Sequence, residues 1–239
     1  YIAKYRGLIF EKRTESNYLE IRGSLHKFFH GDNNSMFYHD EQVEAVWLLA
    51  EILNRSPHTM KLQNCEIEVL LFMPNARKVL LPNIFQIHGS DFETISEGEV
   101  YDRMLIQNER VVKIYNRSTH STDLVRYEIR YSKSRQFTSL GVEFMGDFLN
   151  KKWMTPAYER LTKTFKSILM FDPTLDKRSI SQEDYSAWSN QAFWSSLKGM
   201  KKKREKDRYL SAVNNHSERL QDKLLLQIDR NYELLLNHN

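Results

Sequence analysis

Cysteine, glycine and proline are scarce in this chain of 239 residues. The single cysteine, Cys65, excludes an intrachain disulfide and a zinc site built from several cysteines. We expect it to be buried and structural, in a reducing cytoplasm where thiols persist. Only 8 Gly and 5 Pro argue against repeats and low-complexity linkers. No apolar run approaches the roughly 20 residues that span a bilayer, so we expect no membrane partner.

The first residues, Tyr1 to Arg6, contain no apolar signal-peptide core, and the chain begins without Met. We therefore expect a fragment or a processed chain. With 41% hydrophobic and 28% charged residues, the composition predicts a folded globular protein rather than a disordered one. The net charge of +4 permits a nucleic-acid partner but does not require one.

Strand patterns fill the first part of the chain, and helical patterns fill the rest. The predicted strands are 17–28, 63–72, 79–87, 100–107, 110–116 and 124–132, of which 79–87 contains Pro82 and is placed at an edge. The predicted helices are 40–54, with Asp40 as N-cap, and 144–149, 156–170, 181–198 and 206–236. We predict an α+β fold. An antiparallel-rich central sheet with flanking helices occupies 1–140, and a helical region at 141–239 packs on it or follows it.

Two segments in the middle of the chain, 111–117 and 124–131, are separated by a short polar connection, which predicts adjacent strands. Side chains on a strand alternate between faces, so Lys113 and Tyr115 share a face. The charged residues of the second segment share one face of their strand: Arg126, Glu128 and Arg130. A tyrosine beside a carboxylate and several cations suits chemistry on a phosphodiester, because a tyrosine oxygen can be a covalent nucleophile.

Other predicted strands also carry polar side chains at alternating positions. The first strand places Glu20 and His26 on one side, and the second places Glu66 and Glu68 on one side. For any one strand, an ordinary solvent-facing row explains the pattern better than a site does. Carboxylates on three strands, around one tyrosine and several cations, favour a site for Mg²⁺ or Mn²⁺, because these ions prefer carboxylate oxygens.

A basic segment at 198–208 contains seven cations and two acids. It is typical of a solvated helix face or linker. It is equally typical of a segment that contacts phosphates, because Lys and Arg gain affinity by releasing counterions from nucleic acid.

Three blocks and the helical tail form an ordered set of motifs. The blocks are Glu20-Ile21-Arg22-Gly23-Ser24-Leu25-His26-Lys27-Phe28 followed by Gly31-Asp32-Asn33-Asn34, then Asn64-Cys65-Glu66-Ile67-Glu68-Val69, and then Lys113-Ile114-Tyr115-Asn116-Arg117 with Leu124-Val125-Arg126-Tyr127-Glu128-Ile129-Arg130. The tail adds Phe193-Trp194 and Lys206-Asp207-Arg208-Tyr209. Across most of the chain, this set resembles the rolling-circle replication initiation proteins of the phage and plasmid II/X type. These are related to the filamentous-phage gene II endonuclease, and the resemblance is greatest to the forms found in Bacteroidetes elements.

The resemblance implies a divergent rolling-circle nuclease fold and a nicking endonuclease with joining activity. Such a protein cuts one strand at an origin, forms a 5′-phosphotyrosyl link, leaves a 3′-OH for a polymerase and later rejoins the ends. It implies single-stranded or supercoiled origin DNA, a host helicase and a polymerase as partners.

The resemblance also implies roles for individual residues. Tyr115 is the nucleophile, and Lys113 and Arg126 bind or orient the scissile phosphate. The implied ligands of Mg²⁺ or Mn²⁺ are Glu66 and Glu128, with Glu20 and His26 as further candidates. The implied DNA-binding residues are Arg22, Lys27, Arg117, Arg130, Lys201, Lys202, Lys203 and Arg204.

The sequence departs from the family pattern at Asn116-Arg117, where Asp-Lys is commoner, and at Glu68, where Gly is usual. The first departure leaves any metal or base role beside the nucleophile in doubt. Glu68 is either an additional ligand or a solvent-facing residue.

Two alternatives stay open. One is a DNA-binding replication accessory protein without catalysis, and the other is a transposase or relaxase with the same chemistry. Catalysis by the predicted set requires the Tyr115 hydroxyl within one metal ion's reach of Glu66 and Glu128. The fallback nucleophiles are Tyr101, Tyr127 and Tyr131, of which the last two are predicted on the buried face.

Overall fold

The computed structural model describes residues 1–15, 18–97, 100–117 and 123–237, and gives the backbone alone at 96, 97, 100 and 101. It confirms an α+β fold with antiparallel sheets and a C-terminal region of helices. The chain divides into a first unit, Tyr1–Cys65, Lys133–Ala157 and Tyr232–Asn239, and a second unit, Glu66–Ser132 and Tyr158–Asn231. Both units contain residues from either side of residue 140, and the predicted domain division there stays a prediction.

The described part of the chain forms strands and helices with the following bounds. The strands are β1 Ile2–Tyr5, β2 Leu8–Lys12, β3 Leu19–Arg22, β4 Cys65–Phe72, β5 Ile84–Ile87, β6 Ser90–Asp91, β7 Glu93–Glu97, β8 Val100–Ile106, β9 Arg110–Asn116, β10 Leu124–Tyr131 and β11 Ile168–Met170. The helices are α1 Leu25–His30, α2 His39–Leu53, α3 Ala76–Val79, α4 Ser134–Thr138, α5 Met154–Lys166, α6 Gln182–Trp188, α7 Gln191–Ser196, α8 Gly199–His216 and α9 Leu220–Asn237. Short 3₁₀ turns cover Pro57–Thr59, Leu81–Asn83, Met145–Leu149 and Lys151–Trp153.

The first unit contains an antiparallel sheet in the order β1-β2-β3. Its apolar side chains pack with α1 and α2 in a small core around Leu8, Phe28 and Leu49. The hairpin of β1 and β2 has no counterpart among the predicted strands.

The strand predicted over 17–28 is wrong in its second half, because the chain turns into a helix there. Gly23 has a φ of 144°, and the Ser24 side chain accepts a hydrogen bond from the Lys27 N–H at 3.2 Å. A helix N-cap has this geometry, so α1 begins at Leu25. His26 therefore lies on a helix and not on a strand. The N-cap predicted at Asp40 is also wrong, since α2 is capped at Tyr38.

The second unit contains a five-stranded sheet in the order β4-β10-β9-β8-β7 and a three-stranded sheet in the order β11-β5-β6. One face of β10 is fully buried, as predicted, and carries Tyr127 and Tyr131 at 0% exposure. The Tyr127 hydroxyl donates to the Leu161 carbonyl oxygen at 3.1 Å, and its ring lies 5.2 Å from that of Phe165. These contacts place α5 against the apolar face of the sheet, which leaves the polar face on the other side.

Several predicted boundaries are corrected in this unit. Within the strand predicted over 79–87, only β5 is a strand. It is the central strand of its sheet rather than an edge strand. Pro82 does not prevent this, because it lies in the preceding 3₁₀ turn. The helix predicted over 156–170 ends at Lys166, and β11 follows. The helix predicted over 206–236 is two helices: the buried Asp172 carboxylate accepts the Leu220 N–H at 2.8 Å and so caps the start of α9. The 181–198 segment likewise forms both α6 and α7.

The outer edge of β4 is covered by side chains of α9. The Gln227 amide accepts from the Phe72 N–H at 2.7 Å and donates to the Phe72 carbonyl oxygen at 3.0 Å. Asn231 donates to the Leu70 carbonyl oxygen at 2.8 Å. An edge strand otherwise presents unpaired backbone groups to any passing strand, so these amides protect the edge.

Candidate active site

The register of β9 and β10 brings the predicted nucleophile and its neighbours onto one face of the five-stranded sheet. The two strands are antiparallel, with Tyr115 opposite Arg126 and Lys113 opposite Glu128. Directly opposed residues project to the same side. The predicted adjacency of the two strands, and the shared face of these four residues, are therefore confirmed. Of their connection, residues 118–122 lie outside the described part.

Glu128 binds Tyr115 and Lys113 at the same time. The Tyr115 hydroxyl donates to Glu128 Oε2 at 2.8 Å, and Lys113 Nζ donates to Oε1 at 2.5 Å. Only 4% of the Glu128 side chain is exposed, whereas 28% of Lys113 remains exposed. A hydroxyl bonded to a carboxylate, which is itself held by a third group, can serve as a nucleophile with an oriented base, and it also occurs in structural ion-pair networks.

The Tyr115 hydroxyl is strongly held in its protonated form. Burial raises the pKa of Tyr115 well above its usual range, and the charge and hydrogen bond of Glu128 raise it further. Arg126 lowers the same pKa, since its guanidinium carbon lies 6.0 Å from the centre of the Tyr115 ring. At neutral pH the phenol therefore keeps its proton, and an attack through this oxygen requires a base that takes the proton as the new bond forms.

Two carboxylates of β4 approach the same face. Glu68 lies 3.4 Å from the guanidinium of Arg126, and Glu66 lies 3.7 Å from that of Arg130. Burial raises the pKa of Glu66, and the charge of Glu128 raises it further. Burial also raises the pKa of Glu68, more than the attraction of Arg126 lowers it. The desolvation is only partial, because 44% of the Glu66 side chain and 32% of the Glu68 side chain remain exposed. The charges of these carboxylates and of Glu128 still repel one another.

A divalent cation fits this donor set only in part. Within the described ranges, no three His, Cys, Asp or Glu side chains form a group that could bind a metal ion. Mg²⁺, however, usually keeps several waters and is bound through one or two carboxylates and the phosphates of a substrate. Glu66 can supply one such carboxylate, and the charge of Glu128 acts on it. Both oxygens of Glu128 already accept hydrogen bonds from Tyr115 and Lys113, so a cation at Glu128 would compete with these donors. A cation held there would relieve the repulsion between the two carboxylates.

The other two predicted metal ligands belong to the first unit. Glu20 lies on β3, in the separate three-stranded sheet, and pairs with Arg22 at 3.1 Å. His26, on α1, is buried, with Nε2 3.2 Å from Ser35 Oγ and its ring stacked on Phe37 at 4.7 Å. Metal binding by this pair stays a prediction.

The predicted DNA-binding residues differ in how much they are engaged within the protein. Arg22 pairs with Glu11 and Glu20, and Lys202 Nζ donates to Gln86 Oε1 at 2.5 Å. Arg130 is about half exposed beside Glu66. Arg117 lies just after β9, and its charge lowers the pKa of Glu68. Four further cations are exposed: Lys27, Lys201, Lys203 and Arg204.

Asp102 was not singled out in the sequence, although it lies on the same face. On β8, Met104 is opposite Lys113, and Asp102 is two residues away along the strand. Burial raises the pKa of Asp102, and its Oδ1 has no hydrogen-bond partner in the described part of the chain. Strand alternation from Met104 would have found this carboxylate. Of the fallback nucleophiles, the Tyr101 side chain lies outside the description, and Tyr127 and Tyr131 lie on the opposite face.

Comparison with known proteins finds no family model, curated protein or solved structure that matches the chain.

Proposed function

We propose that this protein cuts and rejoins single DNA strands through a covalent link to Tyr115, as a rolling-circle replication initiator does. The observation that carries the proposal is the hydrogen-bonded chain of Tyr115, Glu128 and Lys113 on one sheet face. The Tyr115 hydroxyl contacts Glu128 directly. The sequence-based hypothesis also requires Glu66 within one metal ion's reach of this hydroxyl, and that part stays a prediction. The resemblance of the motifs to replication initiation proteins supplies the substrate, origin DNA, and the rolling-circle nuclease fold as part of the same proposal.

The proposed reaction starts with attack of the Tyr115 oxygen on the scissile phosphorus. The phenolic proton passes to Glu128, the bond from tyrosine to the 5′-phosphate forms, and the bond to the 3′-oxygen breaks. The 3′-oxygen leaves as a hydroxyl after taking a proton from solvent. Rejoining is the reverse: the 3′-hydroxyl loses its proton to solvent as it attacks the phosphotyrosine, and the bond from tyrosine to phosphorus breaks. Glu128 then returns its proton to the Tyr115 oxygen.

The cations of the site balance the charge that develops on the phosphate. Lys113 orients Glu128 and is partly exposed, so it can also contact the phosphate. Arg126 lies beside the Tyr115 ring and is tied to Glu68. These groups favour the phenolate-like oxygen in the transition state, because opposite charges nearby stabilise it.

Mg²⁺ or Mn²⁺ belongs to the proposal, with Glu66 and Glu128 as the residues that would hold it. When bound, such an ion would polarise the phosphate and stabilise the charge that develops in the displacement.

The resemblance to rolling-circle initiators also supplies the proposed partners and location. The partners are single-stranded or supercoiled origin DNA, a host helicase and a polymerase. The proposed location is the cytoplasm. In the ranges that the structure describes, no helix is both long enough and apolar enough to cross a membrane.

A DNA-binding accessory protein without catalysis is the second candidate. It is favoured by one observation: each of the carboxylates Glu66, Glu68 and Glu128 already pairs with a cation. A structural ion-pair network also shifts pKa values. A transposase or relaxase would use the same chemistry on other DNA.

Formation of a covalent protein–DNA adduct tests the proposal. The protein is incubated with Mn²⁺ and a single-stranded DNA library of random sequence, and adducts that survive denaturant are collected. We expect an adduct with the wild type and with Tyr5→Phe, an exposed control tyrosine, and none with Tyr115→Phe. The Tyr115→Phe variant must lose the adduct but keep its affinity for single-stranded DNA. Binding without any adduct in the wild type would favour the accessory protein instead.

A further inference from the structure

One stripe of α8 combines exposed cations with the lining of a groove. Positions 201, 204, 208, 211 and 215 are spaced by three or four residues, so they lie on one side of the helix. Lys201 and Arg204 are exposed, and neither forms an ion pair within the described part of the chain. The rest of the stripe, Arg208, Ser211 and Asn215, lines an open groove of about 460 Å³. The groove lies wholly in the second unit.

The floor of the groove is a guanidinium stacked over an indole. The Arg208 guanidinium carbon lies 5.7 Å from the centre of the Trp188 ring, and both residues line the groove. Trp188 is only 3% exposed, whereas 54% of the Arg208 side chain is exposed. The structure therefore presents a planar cation to the groove, supported from beneath by an aromatic ring.

Four hydrogen bonds fix the orientation of that guanidinium. Nη1 donates to both carboxylate oxygens of Glu205, at 2.8 and 3.0 Å. Nη2 donates to both oxygens of Asp184, at 3.0 and 2.9 Å. An arginine held at both ends loses little further freedom when a flat group stacks on it, so its plane is preorganised for stacking.

The charges around the groove favour a neutral occupant over a phosphate. Glu205 and Asp184 already balance the charge of Arg208, and Asp207 lines the groove as well. A phosphate there would be repelled. The remaining groups can donate or accept hydrogen bonds at the edge of a flat ring: Ser179, Ser211, Asn215 and His216. A flat, neutral ring with polar edges is the description of a nucleobase.

We propose that this groove binds one unpaired base of a nucleic-acid strand, while Lys201 and Arg204 contact the phosphates beside it. Lys201 and Arg208 are seven residues apart, or about 10 Å along the helix, so one strand can reach both. Stacking on a planar side chain holds a base whatever its sequence, and the cations hold the backbone. The inference rests on the proposed function for its substrate, and it makes α8 an element that holds the single strand.

Binding of two labelled strands tests the groove. Fluorescence anisotropy in EDTA, where metal-dependent cleavage is prevented, compares an oligothymidylate with an abasic strand of equal length. For Arg208→Lys, which keeps the charge but removes the plane, we expect about 5- to 100-fold weaker binding of the oligothymidylate. Binding of the abasic strand should be unchanged. Ser211→Leu, an exposed position at which the new side chain fills the groove, should have the same selective effect.

The cations have their own control. Lys166 is exposed on α5 and is not one of the predicted DNA-binding residues, so Lys166→Ala is compared with Lys201→Ala and Arg204→Ala. Lys201→Ala and Arg204→Ala should each reduce the slope of the logarithm of the strand-binding constant against the logarithm of salt concentration by about one, and Lys166→Ala should leave this slope unchanged.

Equal losses on both strands for Arg208→Lys and Ser211→Leu, or no loss on either, would overturn the base-binding groove. A second result would also overturn it: free thymidine binds saturably, and Ser211→Leu abolishes that binding but leaves the binding of the oligothymidylate strand unchanged. None of these measurements uses Tyr115, so the groove and the nicking reaction can fail independently.

Discussion

Tyr115 and Glu128 are joined across neighbouring strands by a hydrogen bond of 2.8 Å, in which the phenol donates to a carboxylate that is almost fully buried. In the proposed reaction, this contact allows a tyrosine with a raised pKa to attack. The proton need not leave to solvent beforehand, because its acceptor is already in contact.

The first prediction concerns Glu128 as the base. Glu128→Gln keeps the shape of the side chain but cannot take the phenolic proton, so adduct formation should slow by about 10²- to 10⁴-fold. Single-strand affinity should not change. The rate is measured by single-turnover trapping of the adduct. Glu93→Gln, an exposed position on β7 of the same sheet, is the control and should keep the wild-type rate. A Glu128→Gln rate within a few-fold of wild type would rule out the base.

The second prediction concerns the ion pair of Lys113 and Glu128. Lys113→Met leaves a nearly buried carboxylate without its cation, and we expect a loss of about 3 kcal/mol in the free energy of unfolding. Adding Glu128→Gln should restore most of that loss, because a neutral amide needs no cation and can still accept from Tyr115. Urea unfolding of the single and double variants measures the coupling. Additive losses would show that the two side chains do not depend on each other.

The third prediction concerns pH and Glu68. Its pKa is raised by burial, so the folded protein holds the proton at pH values where the unfolded chain has lost it. Stability therefore falls as pH rises through this interval. Glu68→Gln removes the effect, so its stability relative to wild type should increase as pH rises above the usual glutamate pKa of about 4.3. Urea unfolding at a series of pH values from there to neutral gives the difference. A relative loss at neutral pH would mean that the pair with Arg126 outweighs burial.

The fourth prediction concerns the edge of β4. Gln227→Ala removes both hydrogen bonds to the Phe72 backbone, and because Phe72 is exposed, water can replace them in part. We expect a loss of about 1 kcal/mol in the free energy of unfolding and faster hydrogen exchange at the Phe72 amide. Lys223→Ala, one turn earlier on α9, is the control. Unchanged exchange at Phe72 would show that α9 does not protect this edge.

The local pattern of β9 and β10 was sufficient to predict their shared polar face. A period of two residues determines which side chains share a face once two strands pair, and the short connection made pairing the simplest arrangement. The same reasoning could have included Asp102, whose strand was predicted but whose register was not followed across the sheet.

The sequence was less informative where a few residues decide between a strand and a helix. The alternation of Glu20, Arg22, Ser24 and His26 looked like one strand, yet the backbone at Gly23 and the cap at Ser24 start α1 instead. The helix break before α9 depends on Asp172, which is distant in sequence. Contacts between residues distant in sequence also decide which segments form each of the two units. The basic run at 198–208 likewise gave no indication that Arg208 lies over the Trp188 ring.

The position of the covalent link is the most direct test of the central claim. The adduct formed with single-stranded DNA and Mn²⁺ is digested with nuclease and protease, and the peptide that retains a nucleotide is sequenced by mass spectrometry. Our account predicts a nucleotide on the Tyr115 oxygen, joined through a 5′-phosphate. A link to any other residue, or DNA cleaved with no protein attached, would contradict it.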